Sequence, residues 1–329
     1  MRKVTVGAIQ PAYPQPPRPY HPLVAGYQPD VEAILTQHVR PTIGLTTALV
    51  RRAGEAGCDI VTTCEDMAML GNYLYDTTET NVFPTLVDRS VPLVEEELSA
   101  LAREFKMYVI GCYFKRLDGT VYNVAALFDR AGTIVGHYRK VQLPAVEAWQ
   151  CAPGDTFDVF DCDFGRVGLT ICYDMMFPEP TRALALAGAE VIFHPTLGYG
   201  WYDGIGEATL RTRANDSHVH LVTAKDWRFN AAGRSSIIDQ WGHIRHDAGF
   251  EPNVIVTGEI DLDAPKLQPD WYAPTHMSGI ADVRQRMLQE RLPATYGILA
   301  QDVHGLLPLP DAEAQKKVLE AMRDGSCHW

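Results

Sequence analysis

No apolar run in the chain approaches membrane-spanning length, and its start, Met-Arg-Lys-Val-Thr-Val, runs into a strand pattern with no apolar leader block. The expectation is a cytoplasmic chain that does not engage a membrane. Positive charge is scarce: 29 lysines and arginines stand against 41 aspartates and glutamates, for a formal net charge of -12. That balance argues against nucleic acid or an anionic membrane as partner. None of the 7 cysteines is paired as C-x-x-C and none of the 11 histidines falls in HExxH, so no metal is expected. His218 and His220 would share one face of a strand, but two histidines do not complete a site. The odd cysteine count and irregular spacing suit a reducing compartment better than a disulfide framework. No Gly/Ser linker, low-complexity tract or internal repeat divides the chain. It reads as one main domain, residues 1–262, with a C-terminal extension over residues 263–329.

What the chain does have is apolar residues in two periods. Nearly half of its 329 residues are hydrophobic, enough for a large core. Strand patterns run over residues 3–9, 59–63, 108–114, 123–129 and 134–140, with Asp118-Gly119 as a hairpin turn. Others lie at 157–160 and 166–171, around Phe164-Gly165, and at 190–193, 220–224, 235–239 and 253–260. Helical periods cover residues 42–56, the stretch from Pro92 to Phe105, and residues 181–187, 207–216 and 311–323. Helices alternate with strands while hairpins interrupt the alternation, which implies an α/β fold of mixed sheets covered by helices.

Three charged or nucleophilic residues end three of these strands. Cys172 follows the apolar run 167–171 and precedes Phe177-Pro178-Glu179, a turn into a helix, so its thiol is oriented and close to backbone N–H groups. Glu65 ends the run 59–63, and Lys140 ends the run 134–138 within Tyr138-Arg139-Lys140-Val141 before Leu143-Pro144. Each alone has a plain reading, as a buried cysteine or a solvated charge.

Together, Glu65, Lys140 and Cys172 in this order resemble the triad of the nitrilase, or carbon–nitrogen hydrolase, superfamily over about residues 3–262. The segments Tyr-Arg-Lys-Val and Ile-Cys-Tyr-Asp carry the resemblance as much as the triad does. It implies a four-layer α-β-β-α sandwich and a cofactor-free hydrolase of linear amides or N-carbamoyl compounds. Cys172 would be the nucleophile, Glu65 the base and Lys140 the oxyanion stabiliser, with the Tyr173 N–H as second oxyanion donor. Glu147 would help orient substrate and lysine, as a matching glutamate does in amidase and carbamoylase branches. His194 and Thr196 fall in a segment that borders the pocket, and Tyr73, Trp149, Tyr199, Trp201 and Tyr202 are candidate lining residues. Similar proteins pack a C-terminal arm on a neighbouring subunit, so a homo-oligomer built on a dimer is expected.

Departures from the family pattern are specific. Cys64 stands where the family often has proline, which predicts a less rigid turn at Glu65. Tyr173-Asp174 follows the nucleophile, whereas true nitrile hydrolases usually show Trp-Glu, so the amidase side is favoured over a nitrilase. Arg213-Ala214-Asn215-Asp216-Ser217 departs from a family helix signature at two side chains. A non-catalytic scaffold is the remaining alternative, and it has no chemical need for all three triad residues.

Overall fold

The computed structural model describes residues 1–144, 146–198, 205–228, 233–264, 282–301 and 317. One sheet is built from β1 (Lys3–Gln10), β2 (Ile60–Thr62), β3 (Tyr108–Leu117), β4 (Thr120–Phe128) and β5 (Ile134–Arg139). A second contains β6 (Val159–Cys162), β7 (Gly165–Leu169), β8 (Val191–Thr196), β9 (His220–Lys225), β10 (Ser236–Ile238) and β11 (Ile244–Asp247). The last strand, β12 (Val254–Asp261), returns to the first sheet. The orders are β12-β1-β2-β3-β4-β5 and β11-β10-β9-β8-β7-β6, six strands each. Strands β1, β2 and β3 run parallel, as do β7, β8 and β9, while the outer strands are antiparallel. Among the described residues no helix is long and apolar enough to cross a membrane.

The period-2 alternation of strand side chains sorts the core into layers. Ile110 and Cys112 of β3 join Val167, Leu169, Phe193 and Val222 between the two sheets. Val109 and Tyr113 point the other way, onto α2 (Arg40–Glu55) and α3 (Phe83–Phe105), through Val50, Leu86 and Leu98. On the second sheet, Ile192 and Leu221 meet Leu184 of α4 (Pro178–Leu186) and Leu210 of α5 (Ile205–Ser217). Helix, sheet, sheet and helix therefore stack in that order. Full burial contributes about 1.5–3 kcal/mol per large aliphatic side chain, so these clusters dominate the stability of the fold.

The helices depart from the sequence reading in two places. Pro92 lies inside α3 rather than at its start, because the first turn is set by Phe83 and Pro84. An interior proline removes one backbone hydrogen bond at a cost of about 3 kcal/mol. The helix persists because Phe83, Leu86 and Val87 before it and Val94, Leu98 and Leu101 after it enter the same core. Upstream of α2, helical structure begins at Val31 and passes through a π-type turn, Leu35–Val39. It starts early because Asp30 caps the Ala33 N–H at 3.0 Å. The expected helix at 311–323 lies outside the described residues, as do Trp271, Tyr272, Leu306, Leu307 and Leu309 of the expected arm.

Candidate active site

Strand direction brings the charged residues together. Strand β5 is antiparallel to β4, and β4 to β3, so the C-terminal end of β5 lies beside those of β2 and β3. Glu65 follows β2 and Lys140 follows β5, at one end of one sheet; Cys172 follows β7 of the facing sheet. Lys140 is pinned through its backbone, its N–H donating to Asn123 O at 2.9 Å.

At their meeting point Lys140 Nζ donates to Glu65 Oε1 at 2.8 Å and to Glu147 Oε1 at 2.7 Å, and all three side chains are buried. Asn123 Nδ2 donates to the same two oxygens, at 3.0 and 3.3 Å. Glu65 Oε2 accepts the Leu197 N–H at 2.9 Å. Burial alone would lower the Lys140 ammonium, but Glu147 and Glu65 more than offset it and hold its pKa well above the ordinary lysine range. Burial and the charge of Glu65 push Glu147 up to about 7, against the pull of Lys140. The Cys172 thiol interacts with Glu65 and with Thr196; burial and Glu65 push it well up, against Lys140 and the Thr196 hydroxyl. A thiol so placed holds its proton at neutral pH and needs a base to release it.

The candidate nucleophile sits on a strained turn. Cys172 has φ 45°, in the left-handed region that non-glycine residues rarely adopt, and it opens the 3-10 turn Cys172–Met176 ahead of α4. The buried Asp174 carboxylate fixes this geometry. Its Oδ2 accepts from the Ile171 N–H at 2.8 Å and from the Tyr138 hydroxyl at 2.7 Å, and its Oδ1 accepts from the Gln142 N–H at 2.8 Å. The segments after β5 and β7, which carry Lys140 and Cys172, are thereby tied to one carboxylate. The first N–H groups of such a turn have no partner within it, which leaves the Tyr173 N–H for another acceptor.

The family model described as Carbon-nitrogen hydrolase matches residues 23–266. The chain belongs to this family. Omega-amidase NIT2 of Mus musculus is 31% identical over 240 residues, 67% of this chain and 82% of that protein. Omega-amidase NIT2 of Bos taurus is 30% identical over 260 residues, 73% and 88% respectively. A carbon-nitrogen hydrolase from Helicobacter pylori G27 superposes with TM-score 0.68 at 22% identity, covering 92% of this chain and 99% of that one. An amidase from Nesterenkonia sp. AN1, with acrylamide added at its active-site cysteine, gives TM-score 0.61 at 19% identity, covering 84% and 100%. Likeness at such identities speaks for the fold.

In this carbon–nitrogen hydrolase the remaining candidates divide. Thr196 is fully buried beside Cys172, and its carbonyl accepts from the Cys64 thiol at 2.8 Å. Cys64 therefore replaces the rigidity of a proline ring with a tie across to the facing sheet. His194 is fully buried with Nδ1 3.1 Å from Thr170 Oγ1; burial, with Lys225 and Lys140 nearby, pushes it down to about 3, so the ring is neutral. Tyr173 rests edge-on against Phe177. Tyr73 belongs to the core under α3, its hydroxyl 3.0 Å from His38 Nδ1, and does not line the site. Trp149 packs edge-on against Tyr75, while Tyr199, Trp201 and Tyr202 lie outside the described residues. His218 precedes β9 at φ 47°, with Nε2 2.9 Å from Met287 Sδ, so it does not share a strand face with His220. Among the described residues no three His, Cys, Asp or Glu side chains are grouped to hold a metal ion. Asn123 is the residue the sequence reading missed; its signal is an amide on a strand face otherwise occupied by Ala125 and Leu127.

Proposed function

We propose that the protein hydrolyses a linear amide or N-carbamoyl compound by covalent catalysis at Cys172. One carboxylate carries this reading. Glu65 touches the Lys140 ammonium and the Leu197 N–H and also interacts with the Cys172 thiol, so base, cation and nucleophile share it. An amide carbon is a poor electrophile and its nitrogen leaves badly unless protonated. In the proposed cycle Glu65 takes the thiol proton as sulfur attacks the carbonyl carbon. The carbonyl electron pair moves to oxygen, between Lys140 Nζ and the Tyr173 N–H. The intermediate collapses, the C–N bond breaks, and Glu65 passes its proton to the nitrogen, which leaves as ammonia or amine. Glu65 then deprotonates a water that attacks the thioester; the C–S bond breaks, the acid departs and the proton returns to sulfur.

Preorganised donors at the developing oxyanion commonly contribute about 3 kcal/mol, some two orders of magnitude in rate. An amide presents an oxygen to Lys140 in the first step, whereas a nitrile does not, so the amide is the better substrate here. The omega-amidase relatives support the same choice. The test is ammonia release from an amide and a nitrile of the same acyl group, with Cys172→Ala as control. Faster amide turnover, abolished in the variant, is expected. Equal or faster nitrile hydrolysis to the acid would replace this reading with a nitrilase.

A further inference from the structure

Cys64 and Glu65 are consecutive residues just beyond β2, and both reach one peptide unit of the facing sheet. The Cys64 thiol donates to Thr196 O at 2.8 Å, and the Leu197 N–H donates to Glu65 Oε2 at 2.9 Å. A trans peptide points its C=O and N–H in opposite directions, so the two side chains hold its two edges. Leu197 lies beyond the last residue of β8, where strand pairing no longer fixes the peptide plane.

The same unit serves the base and the thiol together. Glu65 Oε1 is held by Lys140 Nζ at 2.8 Å and Asn123 Nδ2 at 3.0 Å, while Oε2 takes the Leu197 N–H. The Thr196 hydroxyl accepts the Gly198 N–H at 3.0 Å and interacts with the Cys172 thiol. Turning the 196–197 peptide over would take the N–H from Glu65 and set a carbonyl oxygen against its carboxylate. Cys64 is placed to prevent that. It is fully buried, with Tyr13 and Met69 packed against it. Burial, helped by Asp226 and Glu65, pushes its thiol well above the ordinary cysteine range, so the S–H persists as a donor at neutral pH. The proline that the family often carries here has no side-chain donor, so the device belongs to this chain.

We infer that Cys64 is a positioning residue for the base, its thiol holding the Thr196–Leu197 peptide in the orientation that gives Glu65 Oε2 its donor. The inference rests on Glu65 acting as base in the cycle above, and its test separates the two. Cys64→Ala removes the donor and leaves a small space, Cys64→Val fills that space without a donor, and Cys64→Ser keeps a donor. Two rates are read for each, well below its melting midpoint. One is ammonia release from acetamide, butyramide and N-carbamoylglycine. The other is alkylation of Cys172 by iodoacetamide, followed by mass spectrometry of the peptide that carries it. Alanine and valine are expected to lower kcat about tenfold with KM little changed, and to slow alkylation by a similar factor, as loss of one hydrogen bond implies. Serine should stay within about threefold of wild type in both, because a hydroxyl there still comes within hydrogen-bond distance of Thr196 O. Serine as slow as alanine, or alanine and valine as fast as wild type in alkylation, would overturn the positioning role while leaving the amide reading intact. If wild type hydrolyses none of the three substrates but alkylation follows the expected order, the amide reading falls and the positioning role stands.

Discussion

Glu65 and Glu147 both place an oxygen on the one Lys140 ammonium, so the buried cluster holds two carboxylates for a single cation. Asn123 supplies the extra donor, which makes it the positioning residue of the pair. Asn123→Leu keeps the volume and removes both contacts; kcat is expected to fall about 10- to 100-fold and stability by about 1–3 kcal/mol, read by steady-state kinetics and urea unfolding. An undiminished kcat would show that the amide is structural only. Burial and the neighbouring carboxylates also set a pH dependence. Glu147 stands at about 7 in the folded chain, above its ordinary 4.5, and burial with the Glu65 charge raises Asp66 from 3.8 to about 7. A raised carboxyl binds its proton more tightly when folded, so its stabilisation is full below the unfolded value and lost as pH rises through about 7. The melting midpoint should therefore fall between pH 5 and 8, and Glu147→Gln should flatten that fall; an identical slope in the variant would assign the pH dependence elsewhere. The meeting of Glu65, Lys140 and Cys172 was legible because three strand-end residues stand in a recognisable order. Asn123 was not, because a polar residue opening a strand reads as a boundary until sheet register sets it over Glu65.

At the level of elements, the turn after β7 depends on Asp174 more than on its own sequence. Asp174→Ala strands the Ile171 and Gln142 N–H groups and the buried Tyr138 hydroxyl at once. The expected cost is about 3 kcal/mol or more, with turnover falling further than stability alone explains because Cys172 loses its fixed φ. Denaturant unfolding and residual activity measured well below the transition separate the two effects; a stable variant with full activity would remove Asp174 from the argument. The central strands were readable from their apolar runs. The four-residue edge strand β11, Ile-Arg-His-Asp, was not, because it is mostly exposed and carries no hydrophobic alternation. Pro92 misled for a different reason: the local cost of an interior proline is visible in sequence, whereas the core that outweighs it is assembled from distant strands.

For the whole molecule, the described part of the C-terminal region leaves large apolar side chains exposed. Arg284 Nη2 donates to Ala189 O at 2.6 Å, anchoring the helix Val283–Gln289 to the turn after α4. Beyond that anchor, Leu292, Ile298 and Leu299 stand 67%, 63% and 66% exposed, close together along the chain. Exposed apolar area is worth about 25 cal/mol per Å² once buried, and clustered groups of this kind mark an interaction surface. We propose that a second copy of the chain, related by a two-fold axis, covers this surface with its own equivalent. The expected state is thus a homo-oligomer built on a dimer. Ile298→Glu with Leu299→Glu should shift it toward monomer, since two carboxylates cannot enter an apolar contact unpaired. Light scattering at micromolar concentration reads the outcome directly: a wild-type monomer would refute the dimer, and a double variant with unchanged mass would place the interface on another face.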